Sequence, residues 1–198
     1  MSEIEPPEAR PADMAARGGT GKLRKTVVLV GMMGAGKTAV GRALAARLRV
    51  PFRDCDAEIE SAANMTIAEI FARDGEAFFR RKESQVLERL LDGAPGILST
   101  GGGVFMAESN RRAIAEKGVG VWLNAPADVL WTRVRHRAHR PLLSTANPRE
   151  TLEQILAART PDYAKAEVHV LSDRSSTVED TVDRVIAALD ARDDVFGA

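Results

Sequence analysis

Cysteine is nearly absent from the sequence, because Cys55 is the one cysteine among 198 residues. A single cysteine excludes an internal disulfide, and we expect a reducing, cytoplasmic compartment. Long apolar runs are lacking too. The uncharged stretch at 26–36 lies between Lys25 and Lys37 and is too short to span a bilayer. We therefore expect no membrane partner.

An excess of charge of one sign is also missing. Lysine plus arginine and aspartate plus glutamate both total 28, so no net charge attracts nucleic acid. We expect small-molecule partners, no nucleic-acid partner and a monomer. Residues 1–24 contain three prolines and no apolar segment such as a signal peptide requires. They predict a disordered tail, followed by one domain at 25–192 and a short C-terminal tail at 193–198.

A phosphate-binding pattern, GMMGAGKT, is present at 31–38. Its spacing of glycine, four residues, glycine, lysine and threonine is typical of a loop whose backbone N–H groups surround nucleotide phosphates. The apolar run TVVLV precedes it and a helical pattern follows, which is the context that this loop needs. Lys37 can reach the β- and γ-phosphates, and the Thr38 hydroxyl can coordinate Mg²⁺.

Short β-rich runs alternate with amphipathic stretches along the rest of the chain. The runs are VVLV, VPFRD, GILST, VGVWLN and EVHVLS. This alternation predicts an α/β fold with a doubly wound parallel sheet. Thr66 with Glu69, and Thr177 with Asp180, match capping boxes that start helices.

The DCD sequence places Asp54 and Asp56 at the predicted end of the second strand. Alternate strand residues point the same way, so we expect the two carboxylates to face one site. One can hold Mg²⁺, and the other can accept a hydrogen bond from a substrate hydroxyl or act as general base. A solvated strand end is the alternative. Cys55, between them, is predicted to lie in the core.

Three adjacent glycines in STGGGV, at 99–104, indicate that something lies directly against the backbone, although a tight turn also explains them. Three arginines are candidates for binding carboxylate or phosphate, although each can also be a surface charge. They are Arg80 in FFRRKE, Arg140 in HRPLL and Arg159 in ARTPDY.

These motifs, with FRR followed by Glu83, occur in the order and approximate spacing seen in shikimate kinases, which the chain resembles from about residue 26 to 189. The resemblance implies a P-loop kinase of the nucleoside monophosphate kinase class, with a five-stranded parallel sheet flanked by helices. It implies a substrate-binding segment at about 55–92 and a lid at about 134–147. The implied reaction is ATP-dependent, Mg²⁺-assisted phosphorylation of the 3-hydroxyl of shikimate, in the route to chorismate and aromatic amino acids.

The resemblance also implies a role for each matching position. It implies that Glu83 supports the substrate-binding arginines and that residues 173–177 contact adenine. The implied site residues are, for catalysis, Lys37, Asp56 and Arg140; for ATP, Gly34, Ala35, Gly36, Lys37, Thr38, Ala39, Arg133 and Arg140; for shikimate, Asp56, Arg80, Gly101, Gly102, Gly103 and Arg159; and for metal, Thr38 and Asp54.

Two other functions are compatible with a phosphate loop. One is a kinase for another small molecule, such as gluconate or a nucleoside monophosphate, and the other is a GTPase-type switch. The switch is disfavoured because no lysine is followed by aspartate two residues later, as the guanine-reading element requires. The triple glycine and the paired arginines argue against the other kinases, whose acceptors do not need both.

Overall fold

The computed structural model describes residues 21–135 and 141–197. Arg140, the arginine predicted in the lid, lies outside the described residues. In the described ranges, no helix combines the length and the apolar character that crossing a membrane requires.

Strands and helices alternate along the part of the chain that the structure describes. The strands are β1 (Thr26–Val30), β2 (Phe52–Asp54), β3 (Ile97–Ser99), β4 (Gly118–Asn124) and β5 (Val168–Leu171). The α-helices are α1 (Lys37–Leu48), α2 (Cys55–Ala63), α3 (Ile67–Leu91), α4 (Glu108–Lys117), α5 (Ala127–Val134), α6 (Pro148–Tyr163) and α7 (Val178–Asp190). Short 3-10 turns occupy Val104–Met106 and Pro141–Leu143.

All five strands are parallel and lie in the order β2-β3-β1-β4-β5. The prediction of a five-stranded parallel sheet is therefore confirmed. Strand β1 is central, where Val28 pairs with Leu98 on one side and Gly120 on the other. It is buried along its whole length, because a parallel sheet is covered by helices on both faces. The phosphate loop leaves the carboxyl end of β1, where such sheets bind ligands.

The helices pack on the sheet as this topology requires. Helix α1 contacts α7 and β3, whereas α4 contacts β4 and α3. Both predicted capping boxes are confirmed. At the start of α3 the Thr66 hydroxyl accepts from Glu69 N at 3.2 Å, and the Glu69 carboxylate accepts from Thr66 N at 2.7 Å. Thr177 and Asp180 make the same reciprocal bonds at the start of α7.

The two ends of the described chain pack against each other. Leu23 and Phe196 form an antiparallel bridge, and Lys25 Nζ lies 2.8 Å from Asp194 Oδ2. Val195 is fully buried. These contacts place Leu23 and residues 194–196 against the packed domain, outside the bounds of 25–192 expected from the sequence.

Candidate active site

The phosphate loop has the backbone that its glycines predict. Gly31, Gly34 and Gly36 have φ values of 137°, 83° and 94°, a region in which a Cβ is disfavoured. A Cβ on Gly31 would also lie 2.8 Å from the carbonyl oxygen of Leu123. Helix α1 begins at Lys37, and no side chain caps its first turn. The N–H groups there form a site for an anion.

Lys37 folds back over this loop. Its Nζ donates to the carbonyl oxygens of Gly31 at 2.8 Å and Met32 at 3.0 Å. These bonds hold the ammonium group beside the loop amides, where phosphate oxygens would meet both.

Thr38, Asp54 and Ser99 bring oxygen atoms together beside the loop. Thr38 Oγ1 donates to Asp54 Oδ2 at 3.1 Å and lies 3.4 Å from Ser99 Oγ. In the described residues, no group of three or more histidine, cysteine, aspartate or glutamate side chains is suitable for a metal ion. The oxygen atoms of Thr38 and Asp54 suit Mg²⁺, which is typically held by one or two protein oxygens together with water and substrate phosphates.

The prediction that Asp54 and Asp56 share one face of a strand is wrong. Strand β2 ends at Asp54, whose Oδ1 accepts from Asp56 N at 3.1 Å and Ala57 N at 3.4 Å, so Asp54 is the N-cap of α2. Asp56 lies in the first helical turn. The two carboxylates nevertheless line one cavity. Cys55, between them, is fully buried, as predicted, and burial raises the pKa of its thiol.

The cavity over the phosphate loop has a volume of about 570 Å³. The phosphate loop lines it, together with the two aspartates, Gly101, Arg133 and Ser176. Burial raises the pKa of the Asp56 carboxyl, and repulsion from Asp54 raises it further. A carboxylate with a raised pKa is a stronger proton acceptor than a solvated one.

Residues 101–103, which we call the glycine row, pass directly beside four charged side chains, those of Asp56, Glu83, Arg80 and Arg159. A Cβ on Gly101 would lie 2.8 Å from Asp56 Oδ1, and a Cβ on Gly102 would lie 3.3 Å from Arg159 Nη1. A Cβ on Gly103 would overlap the guanidinium of Arg80. The glycines therefore leave room for the charged groups that were predicted to bind substrate.

Arg80 is held by two carboxylates on its own helix. Its Nη1 donates to Glu83 Oε2 at 2.9 Å, and its Nε and Nη2 donate to Glu76 Oε1 at 3.3 and 3.2 Å. Glu83 is only 1% exposed. Burial raises the pKa of Glu83, while the bond to Arg80 opposes that rise. The geometry fits the supporting position expected for Glu83.

A second cavity, of about 350 Å³, lies at the Gly103 end of the glycine row. Arg80 and Arg159 both line it, together with Gly103. The structure thus brings together the two arginines that the sequence analysis paired, although 79 positions separate them. Gly101 and Gly102 line the larger cavity together with Asp56, so the glycine row connects the two cavities.

Arg133 and the loop before α7 also line the larger cavity. Arg133 Nη2 donates to Ser172 Oγ at 3.2 Å and to the carbonyl oxygen of Asp173 at 3.4 Å. Asp173 Oδ1 accepts hydrogen bonds from both Ser175 and Ser176. The bonds from Ser175 and Ser176 lower the pKa of Asp173 to about 2. This loop is therefore held in place beside the position expected for the adenine of ATP.

Two contributors to the site were missed by the sequence analysis. Tyr163, the one tyrosine of the chain, is fully buried, and its hydroxyl donates to the carbonyl oxygen of Gly102 at 2.5 Å. Arg159 Nη1 donates to the same oxygen at 3.2 Å. Arg111 bonds the turn that follows the glycine row. The tyrosine belongs to the RTPDY motif and could have been found there, whereas Arg111 lies outside every motif of the sequence analysis.

The chain is similar to known proteins. A family model described as "Shikimate kinase" matches residues 33–190. A shikimate kinase of Ruegeria pomeroyi is 63% identical over 196 residues, which cover 99% of this chain and 98% of that protein. A shikimate kinase of Cereibacter sphaeroides is 67% identical over 175 residues, which cover 88% of this chain and 87% of that protein.

Among solved structures, a shikimate kinase from Acinetobacter baumannii in complex with shikimate superposes with a TM-score of 0.80 and 34% identity, covering 84% of this chain and 93% of that one. The fold, the motifs and these matches over nearly the whole chain agree. The chain belongs to the shikimate kinase family.

Proposed function

We propose that this chain transfers the γ-phosphoryl group of ATP to the 3-hydroxyl group of shikimate, giving shikimate 3-phosphate and ADP. One observation supports this function above the others: Asp56 lines the cavity of the phosphate loop, and the adjoining glycine row leads to a second cavity lined by Arg80 and Arg159. An acceptor with a hydroxyl at one end and a carboxylate at the other matches that layout. The relatives are shikimate kinases, so a gluconate or nucleotide kinase is not favoured.

The phosphoryl end would use residues 34–39 and Lys37 in particular. The loop amides and the positive end of α1 would bind the phosphates of ATP. Lys37 would leave its carbonyl partners and follow the moving phosphoryl group, offsetting the charge that develops on its oxygens. Arg133 would contact the adenine side, from the wall of the larger cavity.

The acceptor end would use Asp56 as the general base. The hydroxyl oxygen forms a bond to the γ-phosphorus as the bond to the ADP oxygen breaks, and Asp56 takes the hydroxyl proton. Arg80 and Arg159 would bind the acceptor carboxylate, since guanidinium groups match its planar geometry. The glycine row would form the surface between the two ends.

Thr38 and Asp54 would hold Mg²⁺ by their side-chain oxygens, with Ser99 close by. When bound, Mg²⁺ neutralises part of the charge on the β- and γ-phosphates. Arg140, in the predicted lid, would bring its charge to the γ-phosphate. Its role rests on the sequence, because it lies outside the described residues.

We also propose that the enzyme works as a cytoplasmic monomer. The single cysteine is buried in the core and supports a reducing compartment. Every side chain assigned to the site above belongs to one chain, which is compatible with a monomer.

The function is tested by measuring ADP release with shikimate, gluconate and nucleoside monophosphates as alternative acceptors. We expect release that depends on shikimate and yields one phosphomonoester at the 3-hydroxyl. Release with gluconate or a nucleoside monophosphate, and none with shikimate, would overturn the assignment.

A further inference from the structure

The glycine row has no side chains with which to fix its own position. Its N-terminal end is held by Thr100, whose N and Oγ1 donate to the carbonyl oxygen of Leu29 at 3.3 and 2.9 Å. Its C-terminal end continues into the 3-10 turn Val104–Met106. Met106 N donates to the carbonyl oxygen of Gly103 at 3.1 Å, which ties the far end of the row to this turn.

Arg111, on helix α4, bonds this turn. Its Nη1 donates to the carbonyl oxygens of Phe105 and Met106, both at 2.7 Å. The same nitrogen lies 3.2 Å from Asp162 Oδ1 on helix α6. The Arg111 side chain is only 15% exposed, which makes the bonds less screened by water than those of a surface pair. Arg111 lines neither of the two cavities.

Asp162 lies in the part of α6 that also contacts the glycine row. Tyr163 and Arg159 both donate to the carbonyl oxygen of Gly102. Helix α6 is thus bound to the middle of the row, and Arg111 binds the same part of α6 to the turn at the end of the row. The contacts form a closed circuit through the glycine row, α6, Arg111 and the turn.

We propose that Arg111 is a positioning residue for the acceptor site. By joining the turn to Asp162, it fixes the guanidinium of Arg159 relative to the glycine row. This proposal depends on the proposed function, because it assigns Arg159 to the acceptor carboxylate. The circuit does not include the phosphate loop, so loss of Arg111 should weaken acceptor binding and leave ATP binding unchanged. Small misplacements of positioning groups have large kinetic effects.

A merely structural ion pair would behave differently. It would reduce the fraction of folded enzyme, which lowers the apparent kcat without changing the KM for either substrate, or it would loosen the whole site and raise both KM values. Only a positioning role predicts a higher KM for shikimate with an unchanged KM for ATP.

The test compares Arg111→Lys and Asp162→Asn with two matched controls. Arg111→Lys keeps the charge but replaces the planar guanidinium. The controls are Arg112→Lys, on the neighbouring residue with a 68% exposed side chain, and Lys165→Gln, which removes the exposed partner of Asp162. We expect the KM for shikimate to rise about tenfold in both test variants and in neither control. The KM for shikimate in the double variant should exceed that of the single variants only slightly, because both changes break the same contact.

A second measurement does not require turnover. Backbone amides of residues 104–106 should exchange hydrogen faster in Arg111→Lys than in Arg112→Lys. An unchanged KM for shikimate in folded Arg111→Lys, or equal exchange in the two variants, would overturn the positioning role. If the parent protein does not phosphorylate shikimate, the proposed function fails. The exchange comparison still tests whether Arg111 holds the turn at 104–106 in place.

Discussion

The guanidinium of Arg80 occupies the space beside Gly103 that a Cβ would need. A Cβ built on Gly103 would overlap Nη1 and lie 2.7 Å from Cζ of Arg80. Gly103 has φ −97° and ψ −17°, which other residues adopt without strain. The glycine is therefore required by the neighbouring side chain and not by the backbone.

Gly103→Ala should displace Arg80 while leaving the fold intact, because the crowded atoms belong to the end of a long side chain. Loss of a charge-assisted hydrogen bond costs roughly 1.5–3 kcal/mol, so the affinity for shikimate should fall about tenfold to a hundredfold. The affinity for ATP should stay the same. Calorimetric titration of both ligands checks this.

Gly93→Ala is a matched control for this change. A Cβ there would lie 3.2 Å from Nη1 of Arg53, an arginine that lines neither of the two site cavities. We expect normal affinities. A folded Gly103→Ala protein that binds shikimate normally would show that Arg80 is not needed where the structure places it.

Asp56→Asn should lose most turnover and keep ATP binding, since an amide is similar in size to a carboxylate but is not basic. In the parent protein, kcat/KM should fall with decreasing pH at a higher pH than a free aspartate would give, because the pKa of Asp56 is raised. Steady-state kinetics measures the loss of turnover and the KM for ATP in the variant, and the pH profile of kcat/KM measures the shift in the parent. Asp92→Asn is the surface control.

Stability gives an independent check on the same residue. A raised pKa means that the folded state binds the proton more tightly than the unfolded state. Any stability from Asp56 is therefore present at low pH and lost as the pH rises through the folded-state pKa. At neutral pH, Asp56→Asn should be at least as stable as the parent. A large loss of stability there would mean that the loss of turnover reflects misfolding.

Asp54→Asn should raise the Mg²⁺ concentration that gives the half-maximal rate. Asparagine caps helices about as well as aspartate, so the start of α2 should survive while the carboxylate charge is lost. Mn²⁺ binding followed by electron paramagnetic resonance gives a readout independent of turnover. Unchanged binding of both ions would remove Asp54 from the metal site.

Lys37→Ala should lower kcat by roughly 10²- to 10³-fold, because the charge that stabilises the transferred phosphoryl group is lost. Steady-state kinetics on folded protein measures this, and Lys82→Ala, which removes an exposed lysine paired with Gln85, is the control. Near-normal turnover in Lys37→Ala would contradict the assignment of the phosphate loop.

The strands and helix starts could be predicted because their signals are local. A parallel strand is buried on both faces, so the run Thr26–Val30 is apolar apart from its first residue. Thr66 and Glu69 lie three residues apart and bond each other directly. Such contacts are visible in a few consecutive letters.

Other features depend on contacts that no short stretch of sequence contains. Asp54 was expected to alternate with Asp56 along a strand, but β2 passes into α2 without a loop, and the DCD letters fit either structure. Tyr163 contacts Gly102 across 61 positions, and Arg111 meets Asp162 across helices. The packing of Val195 near Leu23 likewise follows from the meeting of the chain ends.

The central claim is that Arg80 and Arg159 bind the carboxylate of the molecule whose hydroxyl faces Asp56. The most direct test is the KM of shikimate against that of its methyl ester, in the parent protein, in Arg80→Ala and in Arg159→Ala. The parent should bind the acid about tenfold to a hundredfold better than the ester. Each variant should lose most of that preference while its KM for ATP stays unchanged. Equal KM values for acid and ester in the parent, or an undiminished preference in both variants, would contradict the account.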